Sequence, residues 1–398
     1  MQPARSNGAQ WAPSADSYSA PASPCLNRYD RLHGGLHCVF AGLDAVTTDA
    51  TVKGACAMTV TGPVPVGELG PTHVHEHLHI DCRPILEIHG YPVVTTEPLT
   101  MCTAAEARWN PGGFPDNYHQ TDVEQVLEEL APFHAAGGRT IVEVTPRHMA
   151  REPLILRHIA ERSGLNVIMG GFYYLAASHP PGTAERSTED LAAEMVEEWR
   201  NGVDDTGIRP GIIGEVGTYD PVQPEEFRML RAAAWAHAET DLPISIHLHP
   251  WGFEGIKVLD ALEAEGVDPQ RVILGHMNTA IDDLPYQLAL LERGVNLAYD
   301  LMGFDHSLIG LGKYPPSDYD IVAGMVGLAQ RGHLGQLFVS QDMGGVKTRL
   351  LAYGGWGYAH TLNHVLPLFR DAGWGEAEVE TLIVHNPARV LTIEGLRR

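Results

Sequence analysis

The sequence predicts a (β/α)8 barrel, and three observations predict it. Eight short apolar runs of β type recur between residues 68 and 343, amphipathic helical stretches separate them, and each run ends in polar or catalytic-looking residues. Strands buried on both faces need runs rich in Ile, Val and Leu, and strands alternating with helices build a parallel sheet wrapped by helices. Barrel enzymes assemble their sites at the C-terminal ends of the strands, so polar strand ends are the expected complement. A doubly wound open sheet is the alternative, but no G-x-G-x-x-G turn follows the first run.

The runs are ELGPTHVHEHL (68–78), TIVEVTP (140–146), NVIMGGFYY (166–174) and GIIGEVG (211–217), then PISIHLH (243–249), RVILGHM (271–277), NLAYDLMG (296–303) and LFVSQDM (337–343). Helical patterns lie between them at 121–137, 187–202 and 224–240. Thr121 and Ser187 are the expected N-caps, with acidic residues following closely, and Gly137 and Gly202 the expected stops.

The first run carries His73, His75, His77 and His79 on alternate positions, which in a strand share one face. Four imidazoles pack a core poorly, whereas an H-x-H pair at a strand end is a good start to a metal site. The later runs end in Glu215, in His247 and His249, in His276, in Tyr299 and Asp300, and in Asp342. One such residue alone reads as a buried structural group. Six acids and imidazoles on one rim do not, because buried Asp and Glu are rare unless paired or bound to metal.

Composition narrows the function class. The 398 residues are 44% hydrophobic and 19% charged, an ordinary globular balance. Fifty acidic against 27 basic residues give a net charge of −23, which argues against nucleic-acid or anionic-membrane partners. Five cysteines (25, 38, 56, 82 and 102) show no C-x-x-C spacing, so a reducing cytoplasm is expected, and no apolar run reaches membrane-span length. Residues 1–57 begin rich in Ser, Ala, Pro and Gly without periodicity and read as a disordered extension. The change at Met58 makes 58–398 the expected single catalytic domain, with Met58 a candidate start.

From about Met58 onward the chain resembles the phosphotriesterase family of the amidohydrolase superfamily. The resemblance rests on GPVPVGELGPTHVHEHL (62–78), GIIGEVGT (211–218), ISIHLH (244–249), VILGHM (272–277), VSQDM (339–343) and HNPARVL (385–391), in that order. It implies a distorted barrel holding two divalent metal ions, usually zinc, with manganese or cobalt as alternatives. By the same resemblance His75, His77 and Asp342 are the ligands of the more buried ion, and His247 and His276 those of the more exposed one. Members with a carboxylated lysine on the fourth strand differ from this sequence, whose lysines are at 53, 257, 313 and 347; Glu215 stands there instead. A carboxylate can bridge two hard cations, so the resemblance still implies a binuclear site.

The implied chemistry is hydrolysis by a metal-bridging hydroxide, with Asp342 accepting its proton. An ester or lactone is the expected substrate. An N-acyl amide or a phosphotriester is the alternative, and a non-catalytic metal-bound binding protein comes last. The partner is then a small molecule, and the family makes a homodimer the expected assembly. Candidate substrate contacts are Arg147, Tyr173, Tyr174, His249, Trp251, Lys347 and Tyr353 in the strand-end loops. The aromatics suit a flat or apolar substrate, and the cations could hold a carboxylate, sulfonate or phosphate. His73, His79 and Glu76 read as structural.

Overall fold

A computed structural model describes residues 55–89, 91–304 and 315–396. The disordered extension expected over residues 1–57 lies almost wholly outside the described residues, as do Cys25 and Cys38. All eight expected runs contain strands: β1 (Thr72–Glu76), β2 (Thr140–Glu143), β3 (Asn166–Met169), β4 (Ile213–Gly217), β5 (Ile244–His247), β6 (Val272–Leu274), β7 (Asn296–Tyr299) and β8 (Leu337–Val339). They pair in parallel as β1–β2–β3 and β4–β5–β6–β7–β8.

Two seams close the ring. Between β3 and β4, Gly211 N donates to Met169 O at 2.8 Å and Gly171 bridges Gly214. Between β8 and β1, Asp342 N donates to His75 O at 3.2 Å and His77 N to Met343 O at 2.9 Å. The result is a TIM barrel whose strand order follows the chain.

Barrel strands have two apolar faces, and both are used. Val74, Val142, Ile168, Ile273, Ala298 and Phe338 fill the interior, joined from below by Leu69, Val390 and Leu391. Outward residues meet the helices α1 (Val123–Ala135), α2 (Pro153–Ser163), α3 (Thr188–Asn201), α4 (Pro224–Thr240), α5 (Gly255–Ala264), α6 (Leu284–Leu291) and α7 (Asp318–Leu328). Each fully buried aliphatic or aromatic side chain contributes about 1.5–3 kcal/mol.

Helix ends follow local chemistry. Ser187 caps α3 by accepting from Asp190 N at 3.1 Å, as its position suggests. The cap of α1 is Asp122 rather than Thr121: its Oδ1 accepts from Glu124 N and Gln125 N, while the Thr121 hydroxyl pairs with His119 Nε2. Gly202 ends α3 at φ 91°, where a Cβ would lie 2.5 Å from the Gly207 backbone.

The strands stop earlier than the apolar runs do, and this gives the mouth its side chains. The residues left over at each C-terminal end form the loops that carry His77, His276 and Asp342. His276 (φ 60°) and Asp342 (φ 49°) both take left-handed backbone conformations, which are sparsely populated outside glycine and turn both chains sharply at the strand ends. At the opposite end, a hairpin of Cys56–Thr59 and Gly62–Pro65 bridges Ile393 through Cys56. Met58 is buried inside that hairpin, so the boundary expected at Met58 falls within a strand. Among the described residues no helix is long and apolar enough to cross a membrane.

Candidate metal centre

Six side chains converge at the barrel mouth. His75 and His77 come from the end of β1, Glu215 from β4, His247 from β5, and His276 and Asp342 from the turns after β6 and β8. His75, His77 and Glu215 form one triplet whose ligand atoms lie within 4.8 Å of one another; His75, His276 and Asp342 form a second, and Glu215, His247 and His276 a third. Asp342 Oδ1 is 3.1 Å from His77 Nε2 and 3.7 Å from His75 Nε2. Glu215 spans the cluster: Oε1 lies 3.5 Å from His77 Nε2, and Oε2 lies 3.6 Å from His75 Nε2 and 3.2 Å from His247 Nδ1.

Outer contacts turn the lone pairs inward. Asp300 Oδ1 is 3.0 Å from His276 Nδ1, and Oδ2 is 3.2 Å from His75 Nδ1. A carboxylate at Nδ1 holds the proton there and leaves Nε2 free to ligate. His276 Nε2 accordingly faces His247 Nδ1 at 2.7 Å. Glu76 turns away from the cluster and accepts from Gln341 N at 2.9 Å and Met343 N at 2.8 Å, which fixes the turn carrying Asp342.

Electrostatics fit a cation here. Burial alone would lower His75, yet Asp300, Glu215 and Asp342 raise it to about 10. The same pairing outweighs burial at Asp300, Glu215 and Asp342 and holds all three carboxyls below their ordinary range. His247, by contrast, is pushed down to about 4, first by burial and then by His276 beside it. Among the described residues, the ion-pair partners of these three carboxylates are all histidines. His75 Nε2 and Glu215 Oε2 are buried without a hydrogen-bond partner. Buried polar atoms that converge without partners are the signature of a ligand set, and N/O donors of this kind suit a divalent transition ion.

The chain matches the phosphotriesterase family over residues 56–391. It belongs to that family. The N-acetyltaurine hydrolase of Salmo salar is 32% identical over 343 residues, covering 84% of this chain and 97% of its own. A resiniferatoxin-binding protein from Rhodobacter sphaeroides superposes with a TM-score of 0.80 at 38% identity, covering 84% of this chain and 94% of its own. A variant of a Deinococcus radiodurans phosphotriesterase-like lactonase superposes with a TM-score of 0.68 at 27% identity, covering 84% and 99% respectively. The chain is thus a hydrolase of a metal-dependent family that acts on small molecules.

The candidate substrate contacts divide. Tyr174 points into the site, its hydroxyl 3.2 Å from both ring nitrogens of His247. Burial first, then Glu215, pushes that phenol well up, so it stays protonated. His249 packs on Tyr219 with ring centroids 5.1 Å apart and on Trp251 at 6.5 Å, forming an aromatic group after β5. Tyr173 turns the other way, into a network with Glu194 and Arg186. Arg147 is paired with Glu194 and lies 3.4 Å from Glu198, both on α3. Lys347 Nζ holds Asp116 at 3.0 Å, and the Tyr353 hydroxyl accepts from Gln125 on α1 at 3.3 Å. These four residues join loops to loops or loops to helices. His73 lies 2.9 Å from Glu76 and packs on Phe133, and His79 Nδ1 lies 2.7 Å from Ala150 O.

Proposed function

We propose that this protein hydrolyses a neutral carboxylic ester or lactone at a pair of divalent ions, zinc before manganese or cobalt. His75, His77 and Asp342 would hold one ion, His247 and His276 the other, and Glu215 both. The reading rests on Glu215, whose two oxygens face histidines of both sets. When bound, such ions supply an acidified water and an electron-withdrawing centre for the acyl oxygen. The chain's own residues do the rest. Asp342, at the edge of the cluster, accepts the proton released as the acyl carbon is attacked. Tyr174 and the rings of Tyr219, His249 and Trp251 offer an aromatic wall, with the Tyr174 hydroxyl a donor beside His247.

A neutral substrate is favoured because, among the described residues, three cations of the mouth loops are engaged: Arg147 by Glu194 and Glu198, Lys347 by Asp116, and Arg349 by the carbonyls of Asp342 and Met302. An anionic substrate held by any of these three would have to break its bonds. The second reading is N-acyl amide hydrolysis, supported by the N-acetyltaurine hydrolases at about a third identity over most of the chain. Among the described residues Cys82 and Cys102 are free thiols, which suits a reducing compartment, and we place the protein in the cytoplasm.

Steady-state kinetics of the zinc-loaded protein on lactones, carboxylic esters, N-acetyltaurine and other N-acyl amino acids, and a phosphotriester test this reading. The highest kcat/KM is expected on a lactone or ester. A higher value on N-acetyltaurine moves the assignment to amides, and a higher value on the phosphotriester overturns both.

A further inference from the structure

His75 and His276 are each oriented directly by a carboxylate, but His77 is not. Its Nδ1 lies 2.9 Å from the hydroxyl of Thr145, and that hydroxyl in turn donates to Glu143 Oε1. All three side chains are buried. Glu143 closes β2, and Thr145 stands two positions later on the same side, so the strand presents both to the neighbouring β1. The backbone holds this register, with Glu143 opposite Glu76 and Val144 N donating to Glu76 O at 3.0 Å. Leu78 N donates to the same Glu143 oxygen at 3.3 Å.

We infer that Thr145 and Glu143 are positioning residues that set the tautomer of His77 through a hydroxyl relay. A hydroxyl has one proton to donate. Thr145 donates it to Glu143, so only a lone pair faces His77, and His77 Nδ1 must carry the proton. Nε2 is then the lone-pair nitrogen, and it is Nε2 that faces Glu215 and Asp342. The contact between Glu143 and the imidazole runs through Thr145, which adds one hydrogen bond between them. Outer-shell partners of this kind typically change metal affinity by about 10–100-fold.

The inference rests on His77 being a metal ligand, and the test separates the two claims. Zinc binding to the metal-stripped protein is measured by competition with a chromophoric chelator, alongside the Tm of the stripped form. The variants are Thr145→Val, which keeps the shape and loses the hydroxyl, Thr145→Ser, which keeps the hydroxyl, and Glu143→Gln. Thr145→Val is expected to weaken zinc binding at the site that His77 serves about 10–100-fold, Thr145→Ser to restore it to within a few-fold, and Glu143→Gln to weaken it in the same direction. A purely structural role would move Tm and leave zinc affinity unchanged. Wild-type affinity in both Thr145→Val and Glu143→Gln overturns the relay while leaving the metal site standing. Failure of the wild type to bind zinc overturns both. If Thr145→Val does not fold, the Glu143→Gln and Thr145→Ser affinities decide.

Discussion

Asp300 holds His276 twice through one oxygen: Oδ1 accepts from the main-chain nitrogen at 2.8 Å and sits 3.0 Å from the ring Nδ1. Its other oxygen faces His75, so one carboxylate at the end of β7 aligns histidines assigned to both ions. The space is cleared by Gly275, where a Cβ would lie 2.9 Å from Asp300 Oδ2. In Asp300→Asn one accepting oxygen becomes a donor that opposes one of the imidazole protons. Zinc affinity should fall about 10–100-fold in chelator competition, with the fold retained by circular dichroism. Unchanged affinity would show that the two histidines need no common anchor.

Asp342 and Glu215 should separate by phenotype. Asn tolerates the left-handed backbone at position 342, so Asp342→Asn keeps the turn and removes the proton acceptor. Turnover should drop by about 10²–10⁴-fold while most of the metal stays bound. Glu215→Ala should instead lower metal content below two equivalents by elemental analysis, because its oxygens reach both halves of the cluster. A fully active Asp342→Asn, or two equivalents retained in Glu215→Ala, contradicts the assigned role.

Tyr174→Phe removes a single hydroxyl from the site. The net worth of one hydrogen bond is about 0.5–1.5 kcal/mol, so kcat/KM should fall roughly 3–10-fold with metal content unchanged. Loss of metal instead would mean that the hydroxyl acts on His247 and not on the substrate.

Much of this architecture is legible in the sequence because barrel physics repeats. An Ile/Val/Leu run must be buried on two faces, and a polar residue at its end has the mouth as its natural destination; all eight strands and the six converging side chains come from that rule. The loops beyond the strand ends are harder to read, since period-2 alternation stops there. Gly171 (φ 136°) breaks the pattern after β3, and nothing local says that Tyr173 faces α3 while Tyr174 faces His247. Arg147 and Lys347 read as substrate cations because their partners lie far away in the chain, Glu194 on α3 and Asp116 some 231 positions back. The outer-shell groups are partly visible: Asp300 stands at a strand end, and E-x-T at 143–145 has the right parity, but only the packed barrel shows which histidine each one serves.

His148 offers a pH signature outside the metal cluster. Burial, then His179 and Arg147, push it from 6.5 down to about 4, and its Nε2 lies 3.1 Å from the Ser178 hydroxyl. The unfolded chain binds this proton more readily than the folded one, so the folded state loses stability as pH falls from about 6.5 through about 4. The share due to this residue is on the order of 3 kcal/mol once both states are protonated. Urea unfolding at several pH values should show a shallower acid loss in His148→Gln than in wild type. Parallel curves would show that His148 contributes nothing to it.

The most direct test of the central claim is to strip the protein of metal, restore zinc in steps, and follow lactone hydrolysis at each step. Full activity should return only as the second equivalent binds, because the proposed assignment gives the six side chains two ligand sets joined by Glu215. Activity that saturates at one equivalent, or that survives complete stripping, would contradict a paired-ion hydrolase.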